Sequence, residues 1–194
     1  MWPAEDTGAW HYLLRDWPSH EKFIRKHCRK FDVVVQAGGC CGLYPRLLAE
    51  IFKHVYTFEP DELNFRCLAQ NVAGKSVYPM RAALGEKPGF VKVKRLHVTN
   101  CGMNTVTPAQ LVAVPMMTLD QFELPVCDLI MFDMEGAEAA AIAGARATIK
   151  RCRPVLFIEN GDKIKIRGYR WVDTSWMDCI FTYDDGVRAV CVST

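Results

Sequence analysis

The chain has 194 residues, half of them hydrophobic and 24 % charged, which suits one folded domain and excludes a disordered chain. With 24 basic and 22 acidic residues the formal net charge is +2, without the basic excess of a dedicated nucleic-acid binder. Nine cysteines, an odd number with no CxxC pair, and five histidines without ligand spacing point to reduced thiols rather than a disulfide framework; no metal ligands are expected. No apolar run is long enough for a membrane span, and the acidic start Met1–Asp6 lacks a signal-peptide core, so a cytoplasmic protein without a membrane partner is expected.

Residues 1–30 read as an N-terminal helical extension, helical around Tyr12–Trp17 and Glu21–Lys30. Trp10, Leu13, Leu14 and Trp17 recur at helical spacing, as an apolar face laid on the main domain of residues 31–194. Phe31–Val35 is a β-branched strand, followed at once by Gly38-Gly39-Cys40-Cys41-Gly42 and a helix with Leu43, Leu47, Leu48, Ile51 and Phe52 on one face. Val55–Phe58 is the second strand, ending in Glu59-Pro60, with Asp61 as cap of a helix to about Asn71. Ser76–Met80 is the third. Residues 85–115 read as an antiparallel insertion in which Leu111–Val114 pairs with the strand around Val91 and Val93, and Arg95–Pro108 is the tip loop. Thr118–Gln121 is a capping box.

Cys127–Phe132 is another buried strand, ending Asp133-Met134-Glu135-Gly136. The helix after it carries Ala137, Ala140, Ala141, Gly144, Ala145 and Thr148, small residues that allow close approach to the sheet. Pro154–Ile158 ends in Glu159, and Tyr169–Val172 and Cys179–Tyr183 are final short strands. Alternating strands and helices define an α/β, mostly parallel sheet covered on both faces. Ligands bind such sheets beyond the carboxyl ends of the strands, where the glycines and carboxylates gather. The densest basic stretch, Lys150 to Arg170, reads as a solvated face.

The glycine loop followed by Glu59 at the next strand end has the pattern that binds a nucleoside: glycine lets a ligand touch backbone, and the carboxylate accepts from ribose hydroxyls. These two features alone do not separate S-adenosylmethionine (SAM) from NAD.

From residue 33 to about 172 the chain resembles FkbM-type SAM-dependent methyltransferases. The matching residues are Val35–Gly42, Thr57–Asp61, Asn64, Asn71, Ala82–Gly85, Thr118–Asp120, Asp128–Glu138, Gly144-Ala145 and Arg153–Glu159. The resemblance implies a Rossmann-like class I methyltransferase fold with about seven strands, SAM as cofactor, and methylation of a hydroxyl, often on a sugar. On it Gln36, Ala37, Gly38, Gly39 and Gly42 form the cofactor loop, with Gly38 and Gly42 at the methionine end. Glu59 and Pro60 lie at the ribose, Asn64 supports that region, Ala82 lies near adenine, and Asp133 and Glu135 face cofactor and substrate. Gln36 departs from the family, which carries an acid there; its carbonyl still accepts hydrogen bonds.

A hydroxyl acceptor needs its proton removed, so Asp133 or Glu135 is the expected base. His97, Asn100 and Asn104 in the polar loop, with Glu159, are the expected acceptor contacts. The acceptor is a small molecule or glycan. RNA methylation, a SAM-binding protein without transfer activity, and an NAD-type oxidoreductase are the alternatives.

Overall fold

A computed structural model describes residues 1–6, 9–95, 100–108, 113–175 and 177–184. Its centre is a seven-stranded sheet of β1 (Val33–Ala37), β2 (His54–Phe58), β3 (Val77–Met80), β8 (Leu129–Phe132), β9 (Val155–Glu159), β10 (Tyr169–Ser175) and β11 (Asp178–Tyr183), in the order β10-β11-β9-β8-β1-β2-β3. The pairings β1–β2, β2–β3, β1–β8 and β8–β9 are parallel, while β9–β11 and β10–β11 are antiparallel. The chain winds outward from β1 through β2 to β3, then returns to the other side of β1 as β8. The order therefore reverses at the β1/β8 boundary, the place where open α/β sheets leave a crevice.

Alternate β1 residues point to opposite faces and seed two cores. On one face Val35, Ile130 and Ile158 pack with Ala141 and Ala145 of α4 (Glu138–Ala143) and the turn after it, and with Ile149 of α5 (Arg146–Cys152). On the other, Val34, Leu129 and Phe157 pack with α1 (Ala9–His27), α2 (Leu43–Leu48) and α3 (Glu62–Asn71) through Trp17, Ile24, Leu48 and Leu68. A smaller sheet of β4 (Ala83–Leu84), β5 (Gly89–Arg95), β6 (Asn104–Pro108) and β7 (Val114–Met117) stands beside the main one in the order β4-β7-β5-β6. Among the described residues no helix is long and apolar enough to cross a membrane.

Several boundaries differ from the sequence reading. The N-terminal segment is one helix, not two, with Pro18 inside it. An interior proline costs a hydrogen bond, but buried Trp17, His20 and Ile24 hold the helix to the core on both sides of it. Trp10 and Leu14 are exposed and do not share that face. The α2 helix stops at Leu48, before Ile51 and Phe52. Asn104–Pro108 is not loop but a strand paired with β5, and β7 begins only at Val114, Leu111 and Val112 lying outside the described residues. The small-residue helix is broken into α4 and α5 at Gly144-Ala145: the Asp120 carboxylate accepts from the backbone of Ala147 and Thr148 and starts α5 afresh. Gly144 touches the second sheet so closely that a Cβ there would lie 2.0 Å from the Gly85 carbonyl. In the basic stretch, Arg151 donates to the Leu124 carbonyl and Arg153 lies 4.4 Å over the Tyr183 ring, so both hold structure.

Candidate active site

The residues between β1 and α2 form a tight cradle. The amides of Gly38 and Gly39 both donate to the Phe58 carbonyl at 3.1 and 3.0 Å. Gly38 has φ +85°, and a Cβ there would sit 1.7 Å from the Asp133 carbonyl oxygen. Only glycine fits both the conformation and the space. Gln36 is fully buried beneath this loop. Its Nε2 donates to the Gly38 carbonyl at 2.8 Å, and its Oε1 accepts from the Thr57 hydroxyl at 2.5 Å.

Beyond the loop opens a cavity of about 410 Å³, within the usual range for a small-molecule site. Ala37, Gly38, Gly39, Glu59, Pro60, Asn64, Ala82 and Asp133 line it, and so do Glu135, Asn100, Asn104 and Glu159. Gln36 and Gly42 do not: Gln36 orders the loop from below, and Gly42 turns the chain into α2 (φ +87°) against Leu68. His97 lies outside the described residues.

Glu59 is buried at the end of β2. One carboxylate oxygen accepts from the Cys40 amide at 2.7 Å and the other from the Asp61 amide at 2.8 Å. A carboxylate offers about four lone-pair positions, so about two are left to face the cavity. Burial lifts its pKa to about 8 against the pull of those two amides. Asp61 also caps α3 and holds Arg95 of the insertion at 2.6 and 2.8 Å.

Across the cavity three carboxylates converge. Oxygen atoms of Asp133, Glu135 and Glu159, from the ends of β8 and β9, lie within 4.8 Å of one another. Burial lifts Asp133 and Glu159 well above the ordinary carboxylate range. The two carboxyls titrate as one coupled pair, and burial together with their mutual repulsion favours a proton held between them. Glu135 is pushed to about 7 by burial and by the Glu159 and Glu138 charges. Among the described residues, Glu159 Oε2 and Asn104 Oδ1 are buried acceptors without a hydrogen-bond partner, and both residues line this cavity.

The sequence reading missed Tyr44, which stands on the cavity wall beside Cys40 of the glycine loop and Cys101 of the insertion. Buried Tyr44 bonds His20 Nδ1 at 2.9 Å, and His20 Nε2 lies 3.1 Å from Asp178, so α1 is tied through the site to β11. No local spacing signals that chain of contacts, because its members come from three distant elements.

These carboxyls give the fold a defined pH dependence. In the folded state they hold protons that the unfolded chain has already released, so stability falls as pH rises from about 4 to about 8. Glu159→Gln removes the cost of protonating this carboxyl on folding, a cost that grows with pH. Discounted for solvent screening, the gain is about 1 kcal/mol, a rise of about 2–4 °C in Tm at about pH 8 and less at about pH 5.5. Thermal unfolding at both pH values checks this; an equal shift at both would contradict it.

A crevice at the strand reversal, a glycine cradle and a buried carboxylate after β2 define a Rossmann-like nucleoside-binding domain, the class I methyltransferase fold. Residues 43–168 match the family model of the methyltransferase FkbM domain, and the chain belongs to that family. Its cofactor is SAM. Among solved structures the chain is similar to the methyltransferase FkbM of Methylobacillus flagellatus KT, with 19% identity over 79% of this chain and 44% of that one and a TM-score of 0.54. It is also similar to an rRNA methylase of Streptococcus thermophilus, with 12% identity, 87% and 96% coverage and a TM-score of 0.55. The chain thus spans less than half the length of the FkbM structure, and both likenesses are of fold. A comparison with curated proteins finds no match.

The residues present fit the cofactor. The cradle admits a ligand against bare backbone, Glu59 keeps acceptor capacity toward the cavity, and the carboxylates complement a sulfonium charge.

Proposed function

We propose that this chain is a SAM-dependent methyltransferase acting on a hydroxyl of a small or glycan acceptor. One observation carries the acceptor chemistry: two buried acceptor oxygens without partners, Asn104 Oδ1 and Glu159 Oε2, line the cavity that holds the carboxylate cluster. Leaving such atoms unmatched costs about 1–3 kcal/mol each, and a ligand with several hydroxyl donors removes that cost.

When bound, SAM supplies a methyl group on a positively charged sulfur, so the protein has chiefly to align donor and acceptor. Ala37, Gly38 and Gly39 hold the methionine end, Glu59 takes the ribose hydroxyls, Pro60 and Asn64 shape that wall, and Ala82 lies toward the adenine. Gly42 and Gln36 act indirectly, by fixing the loop. Asn100, Asn104 and Glu159 orient the acceptor. Asp133 takes the hydroxyl proton as the oxygen becomes nucleophilic, with Glu135 orienting the acceptor from the open side.

Transfer of labelled methyl from SAM is the test. A panel of sugars and other polyhydroxyl compounds, with RNA alongside, is expected to show label on an oxygen of the former. Label on RNA alone, or on none of the panel, would overturn the reading.

A further inference from the structure

Three cysteines that are scattered in the sequence meet beside the glycine loop. Cys40 and Cys41 follow Gly39 directly, whereas Cys101 comes from the insertion between β5 and β6. The Cys101 sulfur lies 3.5 Å from that of Cys40 and 3.7 Å from that of Cys41, and all three lie within 4.8 Å of one another. A disulfide joins two sulfurs at about 2.0 Å and has no use for a third. A tetrahedral metal with sulfurs at about 2.3 Å sets them about 3.8 Å apart, close to the spacing already present.

The backbone around the cluster is fixed from several sides. The Cys101 amide donates to Asp6 Oδ2 at 2.7 Å, and its carbonyl accepts from Asn64 Nδ2 at 2.8 Å. The Cys40 amide is held by Glu59. Cys40 itself has φ +45°, a left-handed conformation that costs a side-chain-bearing residue about 1–2 kcal/mol and that glycine adopts freely. At this strained position the Cys40 sulfur is close to two others.

We propose that Cys40, Cys41 and Cys101 form a thiolate site for a soft or borderline divalent metal, zinc being the best match to three sulfurs at this spacing. A water would complete the coordination. The ion clips the insertion onto the glycine loop, and so holds together two segments that wall the cavity. Binding displaces the three thiol protons and involves no electron transfer. The proposal does not depend on the methyl-transfer reading, since its readout is metal binding.

The test is a titration of the whole chain, reduced with a phosphine and freed of metal by chelation, with Zn²⁺ against a chromophoric chelator, and separately with Co²⁺. One Zn²⁺ per chain is expected, and Co²⁺ is expected to give a thiolate-to-metal charge-transfer band. Cys101→Ser should weaken Zn²⁺ binding by about 100-fold or more, while Cys152→Ser, on the far side of the sheet, leaves it unchanged. A reduced wild-type chain that gives no charge-transfer band with Co²⁺ would overturn the proposal whether or not the variants fold. So would a folded Cys101→Ser chain with unchanged affinity.

Discussion

Asp133→Asn is expected to slow methyl transfer by about 10²–10⁴-fold, the usual worth of a positioned general base, while SAM affinity stays within about threefold. The separation follows from what Asp133 does with each part of itself. Its backbone amide donates to the Ala37 carbonyl at 3.1 Å, and its carbonyl walls Gly38. Asparagine keeps both and nearly the same shape. Only the ionisable oxygen is lost, and the Asp133 carboxylate lies within 4.8 Å of those of Glu135 and Glu159. Single-turnover rates and calorimetric affinities measured on the same preparation read the two effects apart. Turnover within about threefold of wild type would remove Asp133 as the base.

Gly38→Ala should remove cofactor binding and lower stability together. A left-handed φ costs alanine about 1–2 kcal/mol, and the added Cβ would stand 1.7 Å from a backbone oxygen that cannot yield without moving the end of β8. A loss of at least about 2 kcal/mol follows, a Tm drop of about 4–8 °C for a chain of this size, and SAM affinity should fall by about 100-fold or more. Gly74→Ala is the matched control. Gly74 has φ +75° but nothing within 4 Å of a Cβ, so it carries the strain without the clash. It should cost stability and leave SAM binding intact. Equal loss of affinity in both variants would show that the cradle geometry is not what binds.

The central sheet was legible because its signals are local. Val33–Ala37, His54–Phe58 and Leu129–Phe132 are short apolar runs, each ended by glycine or carboxylate, and that pattern requires no knowledge of distant neighbours. The Asp61 cap and the Thr118 capping box are likewise local chemistry. The insertion was harder to read. Asn104–Pro108 alternates polar residues because it borders the small sheet, and nothing in it resembles a buried strand. Within the site, Gly38, Glu59 and Asp133 announce themselves as strand-end residues. The meeting of Cys101 with Cys40 and Cys41, and of Tyr44 with His20 and Asp178, depends on how the insertion and α1 fold back, which spacing along the chain cannot carry. Gln36 shows a different limit: its position in the motif is visible, but only the packing reveals that its amide turns back to bind the loop.

The most direct measurement is isothermal calorimetry of the folded chain with SAM and its demethylated product, beside Glu59→Ala. Wild type should bind both with clear heat. The variant loses about two hydrogen bonds, worth about 0.5–1.5 kcal/mol each, and should bind about 10–100-fold more weakly. No heat from the wild-type chain, or equal affinity in the variant, would contradict the placement of the cofactor at the end of β2.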